Sequence, residues 1–189
     1  MRILIAFVVI AIAGATFSPG YSFAAEEQEQ VQQSRVALDE LLDTVSRKSG
    51  EQFLVHANVR PDVVVGPMRT RDVSLTTLHT VLRNNGLAAV RAEGVISIIP
   101  VATVRQNPLR VVTADDDSIP ADEWVLRSVR TKNGPPMQLV ALMRPLVPQA
   151  GHLVAHASSS TLTIVAPYGV ATHVVRLVEE MDRHSTAQE

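Results

Sequence analysis

Apolar and polar positions alternate with helix and strand periods from residue 36 onward, and they form two runs separated by an irregular segment. In the first run, residues 36–50 predict a helix, because four apolar residues recur at the spacing of one helix face: Leu38, Leu41, Leu42 and Val45. A second helix is predicted over 75–86, with Ser74 as its N-cap. Strands are predicted over 52–59 and 63–68, and two more within 87–102 around a Glu-Gly turn.

The second run predicts the order strand, helix, strand, strand, helix. The elements are expected over 123–129, 137–146, a hairpin within 151–167, and 170–184. The helix over 137–146 is expected to turn four apolar residues inward: Leu139, Leu142, Met143 and Leu146. Met137 and Met181 are expected to fill the core as well.

Between the two runs, residues 105–120 contain two prolines, three consecutive aspartates and little periodicity. This composition predicts a linker and a domain boundary. The sequence therefore predicts an α+β protein of two small two-layer sandwich domains in tandem, over 26–104 and 121–186. Each domain is close to the smallest size that supports its own core.

The first 25 residues are typical of a secretory signal peptide. Arg2 precedes the apolar run 3–15, and 22-SFAA-25 supplies small residues for cleavage after Ala24 or Ala25. The apolar run is shorter than the ~20 residues that a membrane-spanning helix needs. The polar residues 26–35 are expected to form a lead-in with one weak strand near Val31. The mature protein is thus expected outside the cytoplasm.

Composition and motifs argue against a catalytic or metal site and against nucleic-acid binding. The formal charge of −2 gives no basic surface, and the absence of cysteine removes thiol catalysis and thiolate metal sites. His152 and His156 would lie about 13 Å apart on one strand face, at about 3.3 Å per residue, too far to share a metal. Asp115–Asp117 are expected to form a solvated linker and Ser158–Ser160 a turn. We therefore expect no catalytic residue, cofactor or metal.

The element order of the second run also occurs in RNA-binding domains of the KH type. Those domains clamp the RNA backbone with a GXXG loop, and the sequence has none. The order therefore predicts a KH-like fold without the RNA-binding function.

The second run resembles the repeated periplasmic N-domain of secretins, the outer-membrane channels of type II secretion and related systems. The family pattern is a helix ending in LRPLVP, then G-x-L-x-A, a turn, N-T-L-I-I, and a final helix with I-x-R and a terminal L-D. The matching segments here are 143-MRPLVP-148, 151-GHLVA-155, 161-TLTIV-165, Val175-Arg176 and Met181-Asp182. Ser160 stands where the family usually has Asn.

The first run resembles the domain that precedes these repeats in secretins, which is shared with signalling domains of TonB-dependent receptors. The matching segments are 53-FLVHANVRPDVVV-65 and 75-LTTLHTVLRNNGLAAVRAEGVISIIP-100. Together the two resemblances cover about three quarters of the chain. They imply a free-standing pair of secretin-like N-domains without the channel-forming part.

The resemblance implies a non-enzymatic periplasmic adaptor of a type II secretion-like system, associated with the outer-membrane complex. Its expected partner is a secretin ring or an inner-membrane secretion protein. Assembly into a homo-oligomeric ring is a further alternative. The expected contact residues are Phe53, Val55 and Arg60 in the first run, and Arg144, Arg176 and Glu180 in the second. A periplasmic signalling or ligand-binding module, like the receptor N-domain, is the alternative. An enzyme would need polar groups scattered along the sequence to gather in one pocket.

Overall fold

The computed structural model describes residues 34–185, all of which belong to one compact unit. We call residues 34–104 the N-terminal half and residues 105–185 the C-terminal half. The N-terminal half contains two helices and five strands: β1 (Ser34–Ala37), α1 (Leu38–Ser49), β2 (Gln52–Val55), β3 (Asp62–Val65), α2 (Leu75–Asn84), β4 (Leu87–Ala92) and β5 (Val95–Pro100).

Two small sheets form the N-terminal half. Strand β1 pairs with β3 in antiparallel fashion, and the second sheet has the order β2-β5-β4, in which β2 runs parallel to β5. The predicted order of helices and strands is confirmed for this half. Strand β1 is an additional element, and the weak strand predicted near Val31 lies outside the described residues.

Local capping explains where α2 begins and where α1 ends. Ser74 Oγ accepts a hydrogen bond from the Thr77 N–H at the start of α2 (3.1 Å). At the end of α1, Gly50 has a φ of +73°, a left-handed conformation that glycine adopts without a side-chain clash. Ser74 and Gly50 are residue types that mark helix ends in the sequence itself.

The C-terminal half is built on one four-stranded sheet. Its elements are β6 (Arg110–Val112), β7 (Trp124–Arg130), α3 (Pro136–Met143), β8 (His152–His156), β9 (Thr161–Pro167) and α4 (Tyr168–Ser185). The strand order is β6-β7-β9-β8, with β6 parallel to β7 and the other pairs antiparallel. The predicted order strand, helix, strand, strand, helix is confirmed from β7 onward, so the mixed α+β class is confirmed too.

Each half has its own apolar core. In the N-terminal half, α1 and α2 pack against inward residues of both sheets, among them Val63, Ile96 and Ile98. In the C-terminal half, α3 and α4 cover one face of the sheet, where Leu162 and Ile164 are fully buried. Burial of these side chains contributes roughly 1.5–3 kcal/mol each.

A third apolar cluster lies between the halves, and we call it the junction. It contains Ala88, Val90, Ile99 and Val104 from the N-terminal half, and Trp124 and Val165 from the C-terminal half. Strands β4 and β5 are therefore covered on both faces, by the helices of their own half and by β7 and β9, whereas Leu54 on β2 stays exposed. The sequence analysis predicted two domains but not this packing between them, and the domain bounds stay a prediction.

The segment 105–120, predicted as a linker, contains β6, which the sequence analysis missed. Its aspartates are also more engaged than a solvated linker implies. Asp115 accepts from Arg127 and Arg176 (2.9 Å each), and Tyr168 Oη accepts a hydrogen bond from the Asp116 N–H (2.6 Å). Asp115 and Asp117 are exposed, as expected of a solvated segment, but Arg127 of β7 and Arg176 of α4 hold Asp115, so the segment is not an unattached linker.

Candidate functional site

The three contact residues expected in the N-terminal half lie on and after strand β2. This strand pairs with β5 alone, so its other edge is free among the described residues. Phe53 is half-buried and packs against the core, whereas Val55 is 48% exposed and its neighbour Leu54 is 62% exposed. Arg60 is exposed in the connection to β3. The arrangement is an unprotected sheet edge with two exposed apolar side chains, of the kind that accepts a partner strand.

The contact residues expected in the C-terminal half lie on two elements. Arg144 is exposed on the short 3-10 helix that follows α3, and its guanidinium lies 3.5 Å from the Gly151 carbonyl oxygen. Arg176 and Glu180 lie one turn apart on α4. Glu180 is already engaged within α4, since it accepts from Arg183 and lies 3.0 Å from His184 Nε2.

Arg176 is also engaged within the chain. Its guanidinium donates to Asp115, and Arg127 donates to the other oxygen of the same carboxylate. These two arginines hold the pKa of Asp115 below its ordinary value. Arg127 is 4% exposed, donates to Thr172 Oγ1 (2.7 Å) and lies over the Tyr168 ring. Arg176 therefore takes part in anchoring the 105–120 segment onto the sheet and α4.

Helix α3 exposes apolar residues that the sequence analysis placed inside. Leu139 and Met143 are buried as predicted, but Leu142 is 57% exposed and Leu146 is 42% exposed. Met137, expected in the core, is 61% exposed. The prediction was wrong for these three because α3 and the 3-10 helix after it carry more apolar residues than one face can hold, and one sheet can cover only one side of a helix. We call Met137, Leu142 and Leu146 the α3 surface.

Asp182 on α4 fixes the position of α3. Its carboxylate accepts hydrogen bonds from the backbone N–H groups of Lys132, Asn133 and Gly134 (2.7, 2.9 and 3.1 Å), in the turn that leads into α3. Burial acts to raise the pKa of Asp182, but these three donors together hold it below its ordinary value. The aspartate at the end of the secretin-like motif is thus an anchor between α4 and the turn before α3.

The opposite face of the C-terminal sheet is only partly covered. The junction covers Leu126 and Val165, whereas four residues beyond it on the same face are exposed: Ser128, Arg130, His152 and His156. The two histidines are exposed on a strand, as predicted. Among residues 34–185, no group of three or more potential ligands could hold a metal ion. The C-terminal half therefore presents an apolar helix surface on one side and a polar strand surface on the other.

Over the same range of residues, none of the helices is both long enough and apolar enough to pass through a lipid bilayer.

Comparison with known proteins gives one curated relative. Over 148 residues, or 76% of this chain, the sequence is 26% identical to Secretin XcpQ of Pseudomonas aeruginosa. The chain spans 21% of the length of that relative. No protein-family model matches the chain.

Solved structures give the same answer for the fold. A chain of the Klebsiella pneumoniae type II secretion system outer membrane complex, which contains PulD, PulS and the PulC HR domain, matches with a TM-score of 0.62. The identity is 21%, over 79% of this chain and 26% of that chain. The N-terminal domain of XcpQ from Pseudomonas aeruginosa matches over 79% of this chain and 65% of that chain, at 22% identity and a TM-score of 0.31.

The curated relative and the Klebsiella match together show that the chain is similar to the N-terminal domains of secretins over most of its length, as the sequence resemblance predicted. The class that fold and sequence define is a secretin N-domain-like module.

Proposed function

We propose that this protein is a non-enzymatic periplasmic adaptor of a type II secretion-like system and that it binds the secretin ring. The observation that carries the proposal is the α3 surface, which lies on a secretin N-domain-like fold and which no described residue covers. Three large apolar side chains between 42% and 61% exposed on one short helix region are typical of an interaction surface.

The two sides of the C-terminal half suit a side-by-side contact. An α3 surface on one side and a partly open strand face on the other can meet a like-shaped neighbour in a heterologous, head-to-tail manner. Such contacts close into rings when the rotation between neighbours permits. A module with this shape could extend or cap a ring of secretin N-domains, and could also form a ring of its own.

The free edge of β2 offers a second contact, with Phe53, Val55 and Arg60 as the proposed residues. The Klebsiella complex, one chain of which shares the fold, contains PulD, PulS and the PulC HR domain. By analogy, an inner-membrane secretion protein is the proposed partner for this edge. A strand added there would gain backbone hydrogen bonds from β2, and its specificity would come from Leu54 and Val55.

The proposal is tested by pull-down of the tagged protein from cross-linked native envelopes, followed by mass spectrometry. Recovery of a secretin or an inner-membrane secretion protein supports the adaptor. Recovery of a sigma regulator or a TonB-dependent receptor, with no secretion component, would move the function to signalling.

A matched pair of variants sharpens this test. Leu142→Glu places a charge in the α3 surface, whereas Thr76→Glu places the same charge at an exposed position on α2, in the N-terminal half. The secretin should be lost with the first and kept with the second. Deleting the C-terminal half is a poorer test, because it would also uncover the buried Ala88, Val90 and Ile99.

A further inference from the structure

A cavity of about 400 Å³ lies in the N-terminal half, bordered by β1, β3 and the connection from β2 to β3. We call it the arginine pocket, because Arg35 of β1 and Arg60 of the connection both line it. A volume of this size lies within the range of pockets that hold small ligands. The groups that line the pocket therefore indicate which chemistry it can bind.

The pairing of β1 with β3 builds one wall of the pocket. Arg35 lies directly opposite Val64, whereas Val36 lies opposite Val63, which is 1% exposed in the core. Because side chains alternate between the two faces of a strand, Arg35 and Val64 lie on the face that points away from the core. The pocket therefore has a cation and an apolar side chain next to each other on the outer face of this small sheet.

Asn85 fixes this wall in place from the other edge of β3. Its side chain accepts a hydrogen bond from the Val64 N–H (2.7 Å) and donates one to the Val64 carbonyl oxygen (2.8 Å), as a neighbouring strand would. It also donates to the Val81 carbonyl oxygen on α2 (2.8 Å). The wall is thus tied to α2 by hydrogen bonds within the chain, so this side of the pocket is formed without a ligand.

Two guanidinium groups border the pocket without a partner. Neither Arg35 nor Arg60 makes a side-chain hydrogen bond or ion pair with any residue of 34–185, and the same holds for Asp62, the one carboxylate among the lining residues. Two positive charges and one negative charge sum to +1, which one carboxylate neutralises. A phosphate dianion would instead leave a net negative charge beside Asp62. Guanidinium groups also match the planar carboxylate, through pairs of parallel hydrogen bonds.

Apolar side chains and a free carboxamide lie beside these charges. Pro61, Val64 and Pro100 line the pocket, and the side chain of Asn58 has no hydrogen-bond partner among residues 34–185. A carboxylate, an apolar group and a peptide amide occur together on the last residue of a polypeptide that ends in an apolar side chain. An aspartate or glutamate within a chain offers the carboxylate without the apolar group.

We propose that the arginine pocket binds the carboxyl-terminal residue of a partner polypeptide that ends in an apolar side chain. Arg35 and Arg60 hold the carboxylate, and Asn58 hydrogen-bonds to the last peptide group. Val64 and Pro61 contact the apolar side chain. Capture of a free chain end is a recurring mode of peptide recognition. The proposal does not rest on the secretion role, and because it is tested with the purified chain, its failure would leave the adaptor proposal untouched.

The probe is N-acetyl-leucine, which carries the carboxylate, the apolar group and the amide of a chain end. Its control is N-acetyl-leucinamide, which has the same shape but no charge. Each compound is titrated into the isotope-labelled protein, and the backbone amide signals are followed by NMR. Saturable shifts are expected at Arg60, Asp62 and Val64 with the acid and not with the amide. Equal shifts with both compounds, or none with the acid up to its solubility limit, would overturn the proposal.

Three variants at exposed positions, where folding should be unaffected, test the charges. Arg60→Gln should weaken binding of N-acetyl-leucine at least about tenfold, because charge-assisted hydrogen bonds to the carboxylate are lost. Arg69→Gln makes the same charge change outside the pocket and should bind as the natural chain does. Asp62→Asn should strengthen binding about twofold, because it removes a nearby negative charge. Equal losses in the two arginine variants, or weaker binding in Asp62→Asn, would contradict the proposed charge arrangement.

A further titration separates a polypeptide end from a free organic acid. Isocaproate has the carboxylate and the apolar group of N-acetyl-leucine but lacks its amide. It should bind more weakly than N-acetyl-leucine, because the hydrogen bond to Asn58 is not made. Equal or tighter binding of isocaproate would overturn the assignment of the pocket to a chain end.

Discussion

Helices α3 and α4 pack on the same face of the same sheet, but their apolar residues are buried to different extents. In α4, eighteen residues long, the apolar stripe is covered by the sheet, with Val174 and Val178 fully buried. In α3, eight residues long, Leu139 and Met143 are buried while Met137 and Leu142 are exposed. The sheet thus covers the apolar residues of α4 but only part of those of α3, which is why the proposed contact surface lies on α3.

The largest effect is expected from removing the contact between Asp182 of α4 and the turn that leads into α3. Asp182→Ala removes the acceptor for three backbone N–H groups in the turn before α3. Hydrogen bonds to a charged group contribute roughly 1.5–3 kcal/mol each and are not additive, so we expect a loss of about 3 kcal/mol in unfolding free energy. Urea denaturation measures it.

Glu179→Ala, at an exposed position on the same helix, is the matched control. Its unfolding free energy should stay within about 0.5 kcal/mol of the natural chain. An equal loss in both variants would show that Asp182 has no special anchoring role.

The next test compares truncation on the two helices. Val178→Ala removes two buried methyl groups from α4, at a cost of about 2 kcal/mol. Leu142→Ala removes more atoms from α3 but from an exposed position, so its cost should be below about 0.5 kcal/mol. Thermal and urea unfolding of both variants check the order, and a larger loss at Leu142 would mean that α3 is covered in solution.

Low pH should weaken the contact between Asp182 and the turn before α3 within a defined pH range. The pKa of Asp182 is lower in the folded chain than its ordinary value of 3.8, so its contribution to stability is complete well above that value. The contribution is lost as the pH falls below 3.8 toward the folded pKa. The difference in stability between the natural chain and Asp182→Asn should therefore shrink below about pH 4. A difference that stays constant down to pH 2 would contradict this.

The smallest expected effect on stability belongs to the charge placed in the α3 surface. Leu142→Glu should change the unfolding free energy by less than about 0.5 kcal/mol, because the position is exposed. The same substitution should weaken partner binding at least about tenfold, since a charge in an apolar contact costs more than about 1.4 kcal/mol. Binding to an immobilised secretin N-terminal fragment, measured with Thr76→Glu alongside, separates the two effects.

Sequence periodicity was sufficient for most of the fold because local signals agree with it. The stripe of α4, the cap at Ser74 and the left-handed Gly50 all depend on neighbours within a few residues. Strand β6 was missed because three residues are too few to show an alternation of apolar and polar positions. Its parallel pairing with β7 depends on how the whole 105–120 segment packs. The junction had a weak signal in 95-VISIIP-100, where apolar residues on successive positions indicate a strand covered on both faces.

The candidate site was less accessible to sequence reasoning. Periodicity identifies apolar positions but not which of them a neighbouring element covers, so Leu142 and Leu146 were placed inside. The available signal was a short helix in which Gln138 is the one polar residue, so that its apolar residues cannot all face one sheet. Arg176 was expected on a contact surface from its motif position, but its ion pair with Asp115 arises from a segment sixty-one residues away. Long-range pairings of this kind have no local signature.

The proposed adaptor role requires the α3 surface to contact a secretion-system component. The most direct measurement is photo-cross-linking in the native envelope, with a photoreactive amino acid at position 142 and, as control, at exposed position 43 on α1. We expect an adduct containing a secretin from position 142 and none from position 43. No secretin adduct at position 142, or equal secretin adducts from both positions, would contradict the claim.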